Sequence, residues 1–230
     1  MTLEKIEFSV ESISFFSPCF DSIDSLAEGK PSSIDQKNHP LIKQIPMMLR
    51  RRLLSSDRYS VALGLFELNK INDHSKIAKI IYASRVGETI KCLTILKSLL
   101  NHEPASPTDF SGSVQNANVG IVSIASKFHG ETTAISAAEN TLYSALIEAY
   151  ITLKHIGDPE YKVIVVAYED SLTNDLMEIE DNFNGPYALS MVLSIKQENV
   201  YKPEKCLVID DRLINIPTLY FAKNYRSFLQ

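Results

Sequence analysis

The stretch that most constrains the fold is residues 132–168, where a helix pattern lies between two β-prone runs. The first run is Thr132–Ile135, and an amphipathic helix is predicted over roughly Glu139–His155. A Gly-Asp-Pro sequence ends that helix, and Tyr161–Tyr168 (YKVIVVAY) follows as a β-branched run typical of a buried strand. A helix that connects two strands favours parallel pairing of those strands within one sheet.

The same alternation of strands and helices runs through the rest of the chain. Strands are predicted at Ile6–Phe16, Lys76–Ala83, Ala188–Ile195 and Cys206–Ile209, and helices from about Arg58, over Gly87–Leu100, within Ser113–Phe128 and near Thr218–Phe228. Residues 21–45 are predicted to be loop with a short helical piece. This order predicts an α/β fold with a mixed, mostly parallel sheet and helices packed on it, in a single domain over residues 1–230.

Composition is that of an ordinary globular protein and argues against several classes of function. The formal net charge of −5 disfavours a nucleic-acid partner, which would favour a basic surface. Cys19, Cys92 and Cys206 are widely spaced and form no CxxC pair, so neither a disulfide framework nor a zinc site is predicted. No apolar run is long enough to span a bilayer, and the first residues lack the basic start of a signal peptide. We therefore expect a cytoplasmic protein with no cofactor and no metal.

The bend at residues 136–138 (Ser-Ala-Ala) has the layout of a turn on which many enzymes present a nucleophile. A helix N-terminus follows it and would stabilise an anion there, yet the bend contains no cysteine. Ser136 and Glu139 form a capping-box pattern, which satisfies free N–H groups at a helix start and is the preferred interpretation. The alternative is that Ser136 is a nucleophile activated by Glu139 or by His129, as in a stand-alone acyl transferase or thioesterase.

Four stretches of the chain, in this order, are similar to a known family. They are IPMMLRRRLLSSDRYSVAL at 45–63, IIYASRVGETIKCLTIL at 80–96, PASPTDFSGSVQNANVGIVSIA at 104–125, and the bend itself. Together they cover roughly residues 45–168 and resemble the N-terminal half of β-ketoacyl synthases. The resemblance is greatest to short ketosynthase-like domains assigned as chain-length factors in aryl polyene biosynthesis. Residues 1–45 and 170–230 lie outside it, and the latter are expected to diverge from the family.

The resemblance implies the N-terminal half of a thiolase-like fold. It also implies that this chain lacks the nucleophilic cysteine of a ketosynthase. Ala138 lies where a ketosynthase has its acyl-accepting cysteine, and a methyl group cannot attack a thioester. No histidine follows Tyr168, whereas a ketosynthase has two histidines in its second half. We therefore expect no condensation by this chain alone. The resemblance implies instead a non-catalytic subunit that forms a heterodimer with a full-length ketosynthase and limits the growth of an acyl chain on an acyl carrier protein.

The resemblance also assigns roles near the expected subunit contact, which matches residues 113–135. The second layer of a complete thiolase-like fold is not evident in the sequence, so an exposed apolar patch is expected to mark the partner site. Ile121, Ile124 and Phe128 are candidates for the wall of the acyl tunnel, with ordinary core packing as the alternative. Gln115 replaces a histidine of the family pattern, and a hydrogen-bonding role can survive that change.

Two charged clusters complete the candidate sites. Arg50, Arg51 and Arg52 form a dense basic run, interpreted as a contact for the acidic carrier protein or for the partner subunit, or else as a solvated surface. The acidic stretch from Asp170 to Asp181 offers oxygen ligands suited to a hard cation. Its spacing matches no calcium loop, so a solvated loop is the preferred interpretation.

Overall fold

One mixed sheet, with helices on both faces, organises the molecule. The structure is a computed structural model and describes residues 6–31, 34–35, 38–170, 186–196, 206–209 and 218–229. Its strands are β1 Ile6–Phe16, β2 Ile77–Ala83, β3 Glu131–Ile135, β4 Lys162–Glu169, β5 Tyr187–Ile195 and β6 Cys206–Ile209, and their order across the sheet is β3-β2-β4-β5-β1-β6. All the strands predicted from the sequence are present, and each predicted end lies within one residue of the observed end.

The helices follow the predicted order. They are α1 Ile23–Ala27, α2 Pro40–Lys43, α3 Met47–Arg50, α4 Ser55–Lys70, α5 Thr89–Leu100, α6 Pro107–Gly112, α7 Ala117–Ser126, α8 Thr141–Ile156 and α9 Thr218–Asn224, with a final 3-10 turn over Tyr225–Phe228. The helix predicted from about Arg58 begins earlier, at Ser55. The Asp57 carboxylate reaches back from the first turn and accepts a hydrogen bond from the Leu54 N–H at 3.1 Å.

The sheet is mixed and most of its strands run in one direction, as predicted, but more neighbouring strands pair antiparallel than parallel. β2 pairs in parallel with both β3 and β4. β5 lies antiparallel between β4 and β1, and β6 is antiparallel to β1. β1 to β4 therefore all run in one direction, so the sheet is mixed and mostly parallel by direction. Parallel neighbours are nevertheless confined to β3-β2-β4, because β5 separates β4 from β1.

The two faces of the sheet bury separate apolar cores. On one face, α8 contributes Leu146 to a core that includes Val165 of β4, with α1 and α9 packed on each other beside it. On the other face, α4 and α7 contribute Leu68 and Val122 to a core that includes Ile164, the residue before Val165. Consecutive residues of β4 thus face opposite cores, as expected for a strand covered on both sides.

One buried carboxylate joins α4 to the sheet, and sequence analysis did not find it. Glu67 of α4 is fully buried. Its carboxylate accepts hydrogen bonds from the hydroxyls of Ser12 and Ser14 of β1, each at 2.7 Å, and of Ser190 of β5 at 2.9 Å. Lys70 Nζ adds a contact at 3.2 Å from its partly exposed position one turn later. The half-buried Ser12 and Ser14 and the buried Ser190 thus all face one charged acceptor.

Replacing Glu67 should destabilise the fold more than replacing a surface glutamate. Glu67→Ala leaves the serine hydroxyls without their acceptor, and we expect a loss of roughly 2–4 kcal/mol in the free energy of unfolding. The matched control is Glu148→Ala on α8, whose side chain is partly exposed and pairs with Lys79 at 2.8 Å. That change should cost less than about 1 kcal/mol. Urea denaturation of both variants tests the prediction, and equal losses would contradict it.

Candidate functional site

The bend between β3 and α8 has a sharply turned backbone, although its central side chain is only a methyl group. Ala138 adopts a φ of 48°, in the left-handed region that favours glycine. Thr141, the first residue of α8, fastens the bend. Its hydroxyl accepts from the Ala137 N–H at 2.9 Å and donates to the Ala138 carbonyl at 2.7 Å. The backbone therefore presents residue 138 at the surface, just before a 16-residue helix.

Ser136 does not cap α8, so the capping-box prediction is wrong. A short 3-10 turn over residues 138–140 separates Ser136 from the helix, whose cap residue Asn140 makes no side-chain cap hydrogen bond. The Ser136 hydroxyl instead donates to the carbonyl of Arg85 at 2.9 Å. Glu139 accepts from the Arg85 guanidinium at 2.7 Å. Both side chains thus hold the turn after β2 against the bend.

The alternative role for Ser136, as a nucleophile activated by a nearby base, has no support in the contacts of the described residues. His129 precedes β3 and Ser136 follows it, so the whole strand lies between them. Five extended residues span roughly 16 Å, far beyond hydrogen-bond reach. Glu139 is bound to Arg85 and not to Ser136. No base therefore contacts the Ser136 hydroxyl in the part of the chain that the structure describes.

A second turn, residues 84–87 after β2, lies beside the bend and is held by Glu169 at the end of β4. The Glu169 carboxylate accepts from the Ser84 hydroxyl at 3.0 Å, from the Val86 N–H at 3.3 Å, and from the Arg85 N–H. Because β2, β3 and β4 are parallel and adjacent, their carboxyl ends meet at one edge of the sheet. The turn and the bend are therefore packed together at that edge.

Gln115 braces the same turn. Its Nε2 donates to the carbonyl of Ser84 at 3.2 Å. Its Oε1 lies over Gly87, where an added Cβ would come within 2.2 Å of that oxygen. Gly87 also has a φ of 57°, so both its backbone and its surroundings require glycine. The prediction that an amide can supply hydrogen bonds at this position agrees with this geometry.

A buried charged network lies close to this edge of the sheet and was not found by sequence analysis. Lys91 Nζ of α5 lies 2.6 Å from carboxylate oxygens of both Asp57 and Glu88. Asn118 of α7 donates to Asp57 at 3.2 Å and to Glu88 at 3.1 Å, and the Tyr168 hydroxyl donates to Glu88 at 3.1 Å. Asp57 and Lys91 are 34 residues apart, and only the fold brings them together. We call these five residues the Lys91 network.

The Lys91 network shifts the pKa values of its members. Burial, followed by repulsion from Asp57, raises the pKa of Glu88 to about 7, and the opposing effects of Lys91 and Tyr168 are smaller. Burial lowers the pKa of Lys91, but the two carboxylates together outweigh it, so that pKa is raised and the ammonium stays charged. Burial is the main cause that raises the pKa of Tyr168. Glu88 is thus the member that changes protonation near neutral pH.

The predicted tunnel residues do not share one environment in this chain. Phe128 is buried, and its ring lies over Gly130, where an added Cβ would come within 2.4 Å of it. Ile121 is half-buried against the core of the α4 and α7 face. Ile124 points outward and is 68% exposed. Core packing therefore accounts for Phe128, whereas Ile124 can contact an acyl chain or another subunit.

Large exposed apolar side chains gather on one part of the surface. Leu96, Leu99 and Leu100 of α5, Phe110 of α6, Val114 and Ile124 are exposed. Contacts of α5 with α6, of α6 with α7 and of α7 with β3 make this region continuous. We call it the α5–α7 face. Fewer such side chains are exposed on α8, where the described ones are Ile151 and Ile156, so the larger group of exposed apolar side chains lies away from α8.

The basic run lies apart in sequence from this face, at the end of α3. Arg51 and Arg52 are exposed, and Arg50 is half-buried. None of the three forms an ion pair with a residue that the structure describes, although the Arg51 guanidinium lies 3.9 Å from the sulfur of Met47. Met47 and Met48 are exposed beside it. This corner of the molecule therefore presents positive charge together with flexible apolar side chains.

The model of the β-ketoacyl synthase N-terminal domain matches residues 26–211, most of the chain. The chain belongs to this family. The match extends past the four resembling stretches at both ends, so it also covers β5 and β6. It confirms the family predicted from the sequence. None of the curated proteins compared matches the chain.

Solved structures show the same fold. One chain of the ketosynthase (ApeO) in complex with its chain length factor (ApeC) from Xenorhabdus doucetiae is 25% identical, with a TM-score of 0.74 over 96% of this chain and 91% of that one. A chain of the ishigamide ketosynthase/chain length factor is 12% identical, with a TM-score of 0.64 over 88% and 65%. A β-ketoacyl synthase from Burkholderia phymatum is 13% identical, with a TM-score of 0.59 over 85% and 60%. The chain thus spans less than two thirds of the length of the last two, and the predicted thiolase-like fold is confirmed.

Other expectations concern membranes and metals. Among the described ranges, no helix has the length and apolar character needed to cross a bilayer. Nor do the described His, Cys, Asp and Glu residues gather in a group of three that would hold a metal ion. The acidic stretch lies outside the described residues except for Asp170, its first member.

Glycine should replace Ala138 without loss of stability. Ala138→Gly removes the strain of an L-residue at positive φ, and we expect the free energy of unfolding to stay constant or to rise by up to about 1 kcal/mol. The control is Ala145→Gly inside α8, where the residue is buried and helical, and where a loss of about 1 kcal/mol or more is expected. Thermal unfolding of both variants compares them. A marked loss at position 138 would show that the methyl group itself is needed.

Proposed function

We propose that this protein is a non-catalytic chain-length-factor subunit that works with an active β-ketoacyl synthase. The observation that carries the proposal is Ala138, a methyl group presented in the bend where related enzymes hold the acyl chain on sulfur. Without a nucleophile there, no covalent acyl intermediate forms on this chain. The similarity to a chain of the ketosynthase–chain length factor complex supports the pairing, as does the ketosynthase N-terminal domain itself.

The partner is proposed to cover the free edge of β3 and the α5–α7 face. Among the described strands, β3 pairs with β2 on one side only, so its other edge can accept a strand from another subunit. Exposed apolar patches of this extent usually mark protein contacts. Ile124 lies on α7, the helix that contacts β3, and is therefore expected near the centre of the interface.

A charge on the α5–α7 face should weaken pairing. Ile124→Asp is expected to reduce the affinity for the cognate full-length ketosynthase by more than about tenfold, because the carboxylate would be buried unpaired. The matched control is Ile151→Asp on α8, which replaces an isoleucine that is 57% exposed outside this face. Size-exclusion chromatography of co-expressed pairs, together with calorimetric titration, provides the measurement. Equal behaviour of the two variants would refute the assigned face.

The complex is proposed to make a polyunsaturated, aryl-capped acyl chain, in which this subunit shapes the tunnel and limits chain growth. The resemblance of the chain to aryl polyene chain-length factors supports this narrower assignment. Ile124 and the half-buried Ile121 are the residues proposed to meet the acyl chain, since Phe128 already fills the core. A growing chain stops where it meets packed side chains. A cytoplasmic location and a single domain over residues 1–230 belong to the same proposal.

The basic corner on α3 is proposed to guide the acyl carrier protein to the complex. Arg51 and Arg52 are exposed without carboxylate partners among the described residues, and carrier proteins are acidic. Charge complementarity chiefly raises the rate of encounter and is screened by salt.

Charge reversal at this corner tests the role. The double change Arg51→Glu and Arg52→Glu should raise the KM of the complex for its acyl carrier protein severalfold at low salt, and the effect should shrink as salt is added. Lys223→Glu on α9 is the control, since it reverses another exposed cation at a different place in the fold. Pairing with the ketosynthase should be unchanged in both. If the double reversal leaves KM unchanged, these arginines do not guide the carrier protein and are only part of the solvated surface.

A further inference from the structure

α5 is attached to the molecule in an unusual way. Of its twelve residues, the one that is buried is Lys91. Three of its four leucines are exposed instead, Leu100 at 79%, and the fourth, Leu93, is half-buried. A surface helix is normally held by an apolar stripe that faces the core. α5 is held mainly by a charged side chain, so its position depends on the Lys91 network more than on apolar packing.

The same lysine also fixes the next helix. Gly112, the last residue of α6, lies so close to Lys91 that an added Cβ would come within 3.1–3.3 Å of its side-chain atoms. α6 contacts α5 and has no buried residue of its own. Elements α4, α5, α6, α7 and β4 therefore all contribute to or contact the Lys91 network, whose ammonium itself binds Asp57 and Glu88. Breaking that contact would release α5 and α6 while α8, on the opposite face of the sheet, keeps its own core.

The charges of the network are unequal when all its acids are ionised. The groups that face Glu88 are Asp57 from α4, Lys91 from α5, Tyr168 from β4 and the amide of Asn118 from α7. Gly112 of α6 adds no charge. The side chains of Lys91, Asp57 and Glu88 are 5%, 4% and 1% exposed. Two carboxylates and one ammonium leave one negative charge buried without a counter-charge, whereas one added proton makes the network neutral.

We propose that the Lys91 network is a proton-dependent latch that holds α5 and α6 on the body of the molecule. The latch is closed most firmly when the network carries an extra proton on Glu88, because its charges then balance. It loosens when that proton leaves, because one buried charge is then uncompensated. Asn118 Oδ1 is a buried acceptor that has no partner among the described residues, so this part of the network is incompletely satisfied even in the closed state.

The direction of the pH effect follows from linkage. The pKa of Glu88 is about 7 when the latch is closed and near its ordinary value of 4.5 when α5 is released to solvent. A raised carboxyl pKa means that the closed state binds the proton more tightly. The closed state is therefore favoured below the released-state pKa and loses stability as pH rises through about 7. From these two values, the opening equilibrium should increase roughly tenfold between pH 6 and pH 8.5.

Hydrogen–deuterium exchange of the full chain alone tests the latch, and needs no partner. After correction for the intrinsic pH dependence of exchange, amides of α5 and α6 should open about tenfold more often at pH 8.5 than at pH 6. Amides of α8 should show no such change. This wild-type pH series stands even if a variant fails to fold. It also separates failure of the latch from failure of the proposed pairing with a ketosynthase, since no ketosynthase is present.

Two substitutions test whether Glu88 is the group whose titration opens α5 and α6. Glu88→Gln removes the titrating group and should make opening of α5 and α6 independent of pH over this range. Glu148→Gln is the matched control, because it neutralises a glutamate that pairs with Lys79 elsewhere. That variant should keep the wild-type pH response. The latch is overturned if α5 and α8 respond to pH alike in the wild type, or if Glu88→Gln retains the response.

Discussion

The carboxylate of Glu169 is the contact on which the arrangement of the candidate site depends. It ends β4 and accepts hydrogen bonds from three consecutive residues of the turn after β2, residues 84–86. The carbonyl groups of the same turn accept hydrogen bonds from the Ser136 hydroxyl and from the Gln115 amide. One side chain at a strand end thus fixes two loops that come from separate crossovers. Without it, the backbone N–H groups of the turn would lack their buried acceptor.

The bend at Ala138 keeps a costly backbone conformation although no nucleophile is present. A residue with a Cβ at positive φ costs roughly 1 kcal/mol or more relative to glycine. The bend nevertheless has a structural task, since it brings the edge strand β3 directly into α8. Thr141 hydrogen-bonds on both sides of the strained residue and holds it in place. The backbone geometry typical of a catalytic turn can therefore be present without a nucleophile when the same turn also positions an edge strand.

Local patterns predicted most of the fold, and long-range pairing explains what they missed. The run Tyr161–Tyr168 identified β4 because β-branched residues repeat there without interruption. The function of Ser136 was predicted wrongly, because its spacing from Glu139 fits a capping box while both side chains in fact bind Arg85, about fifty residues earlier. Lys91 was missed for the same reason: its partner Asp57 lies 34 residues away. A sequence shows periodicity within an element but not which charges a fold will bury together.

The distribution of apolar and charged contacts in α5 has a physical consequence. Apolar contacts are non-directional, so a shallow apolar contact alone fixes the rotation of a surface helix less strictly than charged hydrogen bonds do. An ammonium between two carboxylates, with donors at 2.6–3.2 Å, defines one orientation. Buried charges add little net stability after desolvation, but a network that fixes register can be kept for that purpose. α5 bears exposed leucines that need a partner to cover them, so a fixed orientation matters more for this helix than a deep attachment. The fold thus leaves its apolar surface free for another molecule and holds the helix in place with charge.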